Sequence, residues 1–249
     1  MGTTAAKDTD QAGGGRPAGI ARIDDAALHG VTGGMGGQQG GAGADTLTGE
    51  GLVGSVSGGG GDDVIGTRSQ FSFLNGEDGQ DTLRGGTGWD QMDGGAGADL
   101  LDGGAREDTL SGGRGDGASD TLLGGDGTDR IMWQPGDGND VVDGGAGGAD
   151  MFDVSRGMDF AAFQAAFCHA DGPVTLRVDG MGNVQAFDGG GRQVEFRGEL
   201  TVGGETVRIT GIERVLVHVP TDEVRTPWGD AADAEDAAQE QFRRDMWGE

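Results

Sequence analysis

From Gly40 to Ser111 the chain divides into eight consecutive nonapeptides without an insertion, and a nine-residue period excludes most folds at once. The units include GGAGADTLT, GGGGDDVIG, GEDGQDTLR, GGTGWDQMD and GGAGADLLD. Their eighth positions are all apolar: Leu47, Val56, Ile65, Leu74, Leu83, Met92, Leu101 and Leu110. The rule survives in the degenerate units GEGLVGSVS and TRSQFSFLN, so register outlasts the motif. Past Ser111 the period slips but continues. GGRGDGASDTLL is three residues longer than the unit, GGDGTDRIM is regular, Trp133 and Gln134 precede PGDGNDVVD, and GGAGGADMFD carries one extra residue, giving twelve units that end at Asp153.

Each unit has a physical reading. Leading glycines allow the positive φ of a tight turn, the sixth-position Asp sets a carboxylate in that turn, and the last three residues form a short strand with position eight facing inward. Two units then make one turn of the chain, and turns stack about 4.8 Å apart as two parallel sheets around a thin apolar seam.

Composition agrees. Only 34% of the 249 residues are hydrophobic and 57 are glycine, too little for an ordinary globular core. The formal charge of −26, from 43 acidic and 17 basic residues, makes the chain self-repelling and calls for a diffuse counter-cation. It argues against a nucleic-acid partner, because Lys7 is the sole lysine and only Arg243 and Arg244 are adjacent arginines. No apolar stretch approaches the roughly 18 residues of a membrane helix, so membrane insertion is not expected, and the first thirty residues lack the apolar centre of a cleavable signal peptide. Cys168 is the single cysteine and leaves the compartment open.

The pattern GGxGxDxUx, with U apolar, resembles the calcium-binding repeat of the RTX family, found in haemolysin-type toxins and beside serralysin-like proteases. The resemblance implies an all-β fold, a right-handed parallel β-roll over residues 40–153 with a C-terminal β-rich cap. It also implies several Ca²⁺ ions, each held between loops one turn apart by Asp and backbone carbonyl oxygens. Consecutive loops fall on opposite edges, so the sixth positions form two columns. The odd column is complete, with Asp45, Asp63, Asp81, Asp99, Asp120 and Asp140; the even one opens with Gly54 and Ser72 and then runs Asp90, Asp108, Asp129 and Asp150. These ten Asp residues are the candidate metal ligands, and the even edge is expected to be metal-poor at its N-terminal end. Five odd and three even gaps allow up to about eight ions. Residues 40–153 hold 22 acidic and 5 basic residues, a net −17 that such a number would nearly cancel. The weakest sites are expected at Asp108, where Arg106 replaces a loop glycine and brings a positive charge, at the insertion near Asp116, and beside the extra glycine at Asp150.

Around the roll, residues 1–39 read as a flexible N-terminal segment. In DFAAFQAAF, Phe160, Phe163 and Phe167 share one face of a short helix suited to plug the roll's C-terminal end. Residues 174–219 alternate in VTLRV, VQAF, VEFRG, TVRIT and RVLVHV between glycine-rich turns, which predicts an antiparallel β cap within 154–219. Residues 220–249 form an acidic tail compatible with the uncleaved signal for type I secretion machinery that the resemblance implies.

Enzyme signatures are missing. Three histidines, no HExxH and no GxSxG remove the zinc-protease and nucleophile-elbow readings. Cys168 beside His169 lacks an orienting partner, and the glycine runs lack the strand and helix context of a nucleotide site. A pore-forming toxin would need a large membrane-active region. Ice binding would need unbroken outward rows, whereas position seven of the odd sheet reads Thr46, Val64, Thr82, Leu100, Thr121, Val141. The sequence thus predicts a secreted, extracellular or cell-surface calcium-binding protein that folds on calcium, is not an enzyme, and serves a structural, surface or adhesive role. The alternative is a carbohydrate-active enzyme or accessory with its site in the cap.

Overall fold

The computed structural model describes residues 35–218. Strands from successive repeats alternate between two sheets. The odd units supply β2 (Thr46–Gly49), β4 (Val64–Thr67), β6 (Thr82–Arg84), β8 (Leu100–Ala105), β10 (Thr121–Asp126) and β12 (Val141–Ala146) to a nine-stranded sheet. The even units supply β3 (Val53–Gly60), β5 (Phe71–Asp78), β7 (Trp89–Ala96), β9 (Thr109–Ser111), β11 (Arg130–Met132) and β13 (Met151–Asp153) to an eleven-stranded one. All of these neighbours are parallel, and position eight pairs with position eight throughout. Leu47 meets Ile65 and then Leu83, Leu101, Leu122 and Val142 on one sheet; Val56 meets Leu74, Met92, Leu110, Ile131 and Phe152 on the other. These twelve side chains are the seam, each at most 2% exposed. The chain is therefore a β-solenoid of about six turns, consistent with a β-roll.

The insertions leave the register intact because they exit at the loops. Arg114 to Gly117 lie exposed outside the stack, whereas Trp133 folds inward, 3% exposed, with its ring 6.5 Å from that of Phe152.

Two expectations change. Met35–Gln39, within the segment read as flexible, form β1, which pairs in parallel with β3 and sets Gln38 opposite Val56. The reason is register: a free parallel edge accepts a strand with little apolar content when its backbone groups find partners. At the other end, β19 (Glu205–Ile212) and β20 (Arg214–Leu216) do not belong to an antiparallel cap alone. They stack in parallel on β12 and β13, with Ile209 opposite Val142 and Val215 opposite Phe152. TVRIT and RVLVHV carry the same inward alternation as the repeats, so they add a further turn to the roll.

Antiparallel strands then close both sheets. β18 (Phe196–Val202) pairs with β19, and β14 (Phe167–His169) pairs with β18. On the other sheet β16 (Asn183–Phe187) pairs with β20 and carries β15 (Thr175–Val178) and β17 (Gln193–Val194). The helix α1 (Phe160–Ala166) is capped by Asp159, whose side chain accepts the Ala162 N–H at 2.8 Å. Phe163 is buried from it and joins Phe167 and Phe196 at ring distances of 5.3 and 5.9 Å. No helix among the described residues is long and apolar enough to cross a membrane.

The seam's alternation is directly testable at one pair. Leu101 is 0% exposed and its neighbour Leu100 is 36% exposed. Leu101→Ala should cost about 2–5 kcal/mol in urea unfolding, and Leu100→Ala within about 0.5–1 kcal/mol.

Candidate metal edges

The loops between strands place the ten Asp residues in two columns, and all ten are buried, at 1–4% exposure. Along the odd edge each Asp N–H donates to Oδ1 of the Asp one turn on: Asp45 to Asp63, Asp63 to Asp81, Asp81 to Asp99, Asp99 to Asp120 and Asp120 to Asp140, at 2.7–2.9 Å. On the even edge Asp90, Asp108 and Asp129 donate in the same way to Asp108, Asp129 and Asp150, each at 2.8 Å. The three-residue insertion at Asp116 and the extra glycine at Asp150 therefore do not break the ladder. Asp116 leans back to accept the Gly97 N–H at 2.9 Å, and Asp137, missed by sequence reasoning, pins the insertion by accepting from Gly115 at 2.8 Å.

In most of these carboxylates the ladder satisfies Oδ1 and leaves Oδ2 without a partner, whereas Asp45, first in its column, accepts the Gly41 N–H on Oδ2 at 2.6 Å. Oδ2 of Asp63, Asp81, Asp99, Asp120, Asp108 and Asp129, and both oxygens of Asp90, are buried without a hydrogen-bond partner. Such oxygens are costly unless a cation or proton answers them. Beside them lies the position-one glycine. A methyl group on Gly58 would collide with Asp63 Oδ2 and sit within 2.6 Å of the Gly76 carbonyl oxygen; on Gly76 it would collide with Asp81 Oδ2 and the Gly94 carbonyl oxygen. These gaps, and likewise those at Gly85, Gly94, Gly103 and Gly124, are thus walled by a carboxylate oxygen and a carbonyl oxygen from the next turn. Hard oxygen donors of this mixed kind suit Ca²⁺. Among the described residues no three His, Cys, Asp or Glu side chains converge on one point, so an ion held here would draw much of its coordination from the backbone.

Electrostatics follow from the packing. Burial pushes the carboxyls of Asp63, Asp81 and Asp129 up, those of Asp90 and Asp120 to about 6, those of Asp99, Asp140 and Asp150 to about 7, and that of Asp108 to about 8. Neighbouring carboxylates add to the rise at all of these but Asp90, and the ladder's amide donors oppose it in part. The edges hold negative charge that the protein itself does not balance.

The even edge starts differently, as its sequence predicts. Above Asp90 the column carries Ser72, whose hydroxyl lies 2.7 Å from that of Thr67, and Gly54, against which Ser69 packs. Outside them Phe71 stacks on Trp89 with ring centroids 4.9 Å apart, and Arg106 covers the other side of Trp89 at 4.1 Å. This corrects the expectation for Arg106. Its φ of 83° carries the side chain out onto the indole, so its charge is spent on the ring rather than on Asp108.

Elsewhere, a cleft of about 530 Å³ opens in the cap, lined by His169, Asp171, Asp188, Arg192, Glu195 and Arg197 among others. His169 Nδ1 accepts the Asp171 N–H at 3.2 Å and Nε2 faces the Glu195 carbonyl oxygen at 3.0 Å, so both ring nitrogens serve the backbone. Cys168 is its neighbour in β14, where successive side chains point to opposite faces.

Taken together, stacked parallel turns with a buried Asp at each loop define a calcium-binding type of β-solenoid. Residues 39–51, 72–101 and 102–132 match the family model of the RTX calcium-binding nonapeptide repeat, in 4 copies. The chain thus carries RTX repeats, and RTX repeats bind calcium. Residues 52–71, outside that match, hold most of GEGLVGSVS, all of GGGGDDVIG and the start of TRSQFSFLN, and the structure preserves their register. Comparison with curated proteins and with solved structures returns no match.

The raised carboxyls fix the sign of a pH effect. In chelator their contribution is fully present below the unfolded value of about 4 and is lost as pH rises through about 8, the highest folded value. Circular dichroism in chelator should therefore show more β-structure near pH 4–5 than near pH 8. In saturating calcium the trend should reverse, because the ion competes with protons for the same oxygens.

Proposed function

We propose that the chain is a non-enzymatic, secreted calcium-binding module whose roll folds when calcium enters its edges. The observation that carries this reading is the row of buried carboxylate oxygens without partners, together with the carbonyl oxygens facing them. Asp45, Asp63, Asp81, Asp99, Asp120 and Asp140 hold ions along the odd edge, and Asp90, Asp108, Asp129 and Asp150 along the even edge. The five odd and three even gaps put the number at up to about eight. Without the ion, charge repulsion and a seam of one side chain per strand leave the turns unstacked; with it, binding free energy becomes folding free energy. Extracellular sites of this kind bind at about 10⁻⁴ to 10⁻³ M, which separates a low-calcium interior from the outside. Export by type I machinery fits such a switch. Its proposed signal, the acidic tail at 220–249, lies outside the described residues, as do residues 1–34 of the N-terminal segment. The role outside the cell is structural, surface-associated or adhesive.

A carbohydrate-active or accessory role has the cap cleft as its support. It expects oligosaccharide binding that Arg192→Ala weakens, read by calorimetry; with no binding by the wild-type chain it falls.

Calcium titration of the full chain followed by circular dichroism, with magnesium as control, tests the main reading. A transition to β-structure with calcium alone is the expected result. Equal β-structure in chelator and in calcium would overturn it. Gly76→Ala, which places a methyl between Asp81 Oδ2 and the Gly94 carbonyl, should shift the calcium midpoint upward by several-fold or more.

A further inference from the structure

The even carboxylate column does not stop at the last repeat. A methyl on Gly144 would collide with the carbonyl oxygen of Gly211, just as one on Gly76 would with that of Gly94, so Gly211 occupies the place of a position-one glycine in the turn beyond. Only Ile212 separates it from Glu213, which makes this loop far shorter than a repeat's. Glu213 Oε2 accepts the Asp150 N–H at 2.7 Å, which is the ladder bond that Asp residues make elsewhere. Asp150 and Glu213 therefore form one more gap of the even edge, outside the repeats matched by the family model.

Here, unlike in the gaps before it, a cation of the chain itself stands beside the carboxylates. Arg214 follows Glu213, and its Nη2 donates to the carbonyl oxygen of Ala149, the residue before Asp150, at 2.9 Å. Its Nε is buried without a partner, and its charge acts to hold the Asp150 carboxyl down against burial. The equivalent strand position in earlier even turns holds Ser55, Phe73, Gln91, Thr109, Arg130 and Met151. Arg130, the one other cation in that row, turns away from the loop to pair with Asp153.

We propose that Arg214 is a built-in counter-cation beside the Asp150–Glu213 gap, so that the metal column of the even edge ends between Asp129 and Asp150. The inference rests on the calcium reading above and deepens it. A guanidinium fixed on the Ala149 carbonyl takes up a backbone oxygen beside the gap and repels a divalent ion. The joint between roll and cap thereby offsets part of its own charge, with or without calcium.

Calcium bound per full-length chain, counted by equilibrium dialysis at saturation, tests this. Glu213→Gln should leave the count unchanged. Arg214→Gln should raise it by one ion per chain, and Arg214→Lys, which keeps the charge, should not. A count that falls by one in Glu213→Gln, or that stays unchanged in an Arg214→Gln chain with wild-type circular dichroism, would overturn the proposal. Should Arg214→Gln fail to fold, Glu213→Gln decides alone. A wild-type chain that binds no calcium would overturn the calcium reading itself, and this inference with it.

Discussion

The structure depends on one repeated bond, from the amide of an Asp to the carboxylate of the Asp one turn further on. It sets both the spacing and the lateral position of the loops along the odd edge from Asp45 and along the even edge from Asp90 to Asp150. A solenoid strand gives only one side chain to the interior, so the seam cannot fix the loops by itself. Carboxylates can, because each is short, sits in a turn of defined shape, and reaches back by a single hydrogen bond. The cost is the second oxygen, which the ladder leaves buried and unanswered.

The glycines belong to the same economy of space. At Gly58, Gly76 and Gly94, all at position one, no side chain fits between a carboxylate oxygen and the carbonyl oxygen of the next turn. At position two the requirement is conformational as well: Gly95 has a φ of 106°, and a methyl there would collide with the Glu77 carbonyl oxygen. Where the column lacks carboxylates, other contacts take over. Thr67 and Ser72 share a hydroxyl contact, and Phe71, Trp89 and Arg106 form a stack along the outside of the same turns. One edge thus passes from side-chain packing to carboxylate ladder along its length, while the other is carboxylate throughout.

Much of this is legible in the sequence because the period is physical. The apolar residue two places after each Asp is the strand's inward position, and it identifies all twelve seam residues even where glycine and Asp have been lost. Three features are not legible by that rule. Met35–Gln39 lack an apolar eighth residue, since Gln38 stands there, so the first strand reads as polar linker. Glu213 is the same two residues ahead of an inward Val215, but it has a different side chain and a loop too short to count as a repeat. Arg106 in a loop suggests a charge aimed at Asp108, and only the backbone angle shows that it faces the indole instead.

Alternation of the units between two sheets imposes a rule of parity on the chain. Neighbours in sequence never stack on one another; neighbours in space are two units apart, as Phe71 and Trp89 are. Losing or gaining a single nonapeptide would therefore transfer every preceding unit to the opposite sheet. It would part such pairs and set the serine and glycine of the even column in line with the Asp residues of the odd one. A pair of units can come or go with no such exchange, and three residues can be added at a loop, as between Gly113 and Asp120, without disturbing either sheet. The length of this roll is free to vary, but only in whole turns.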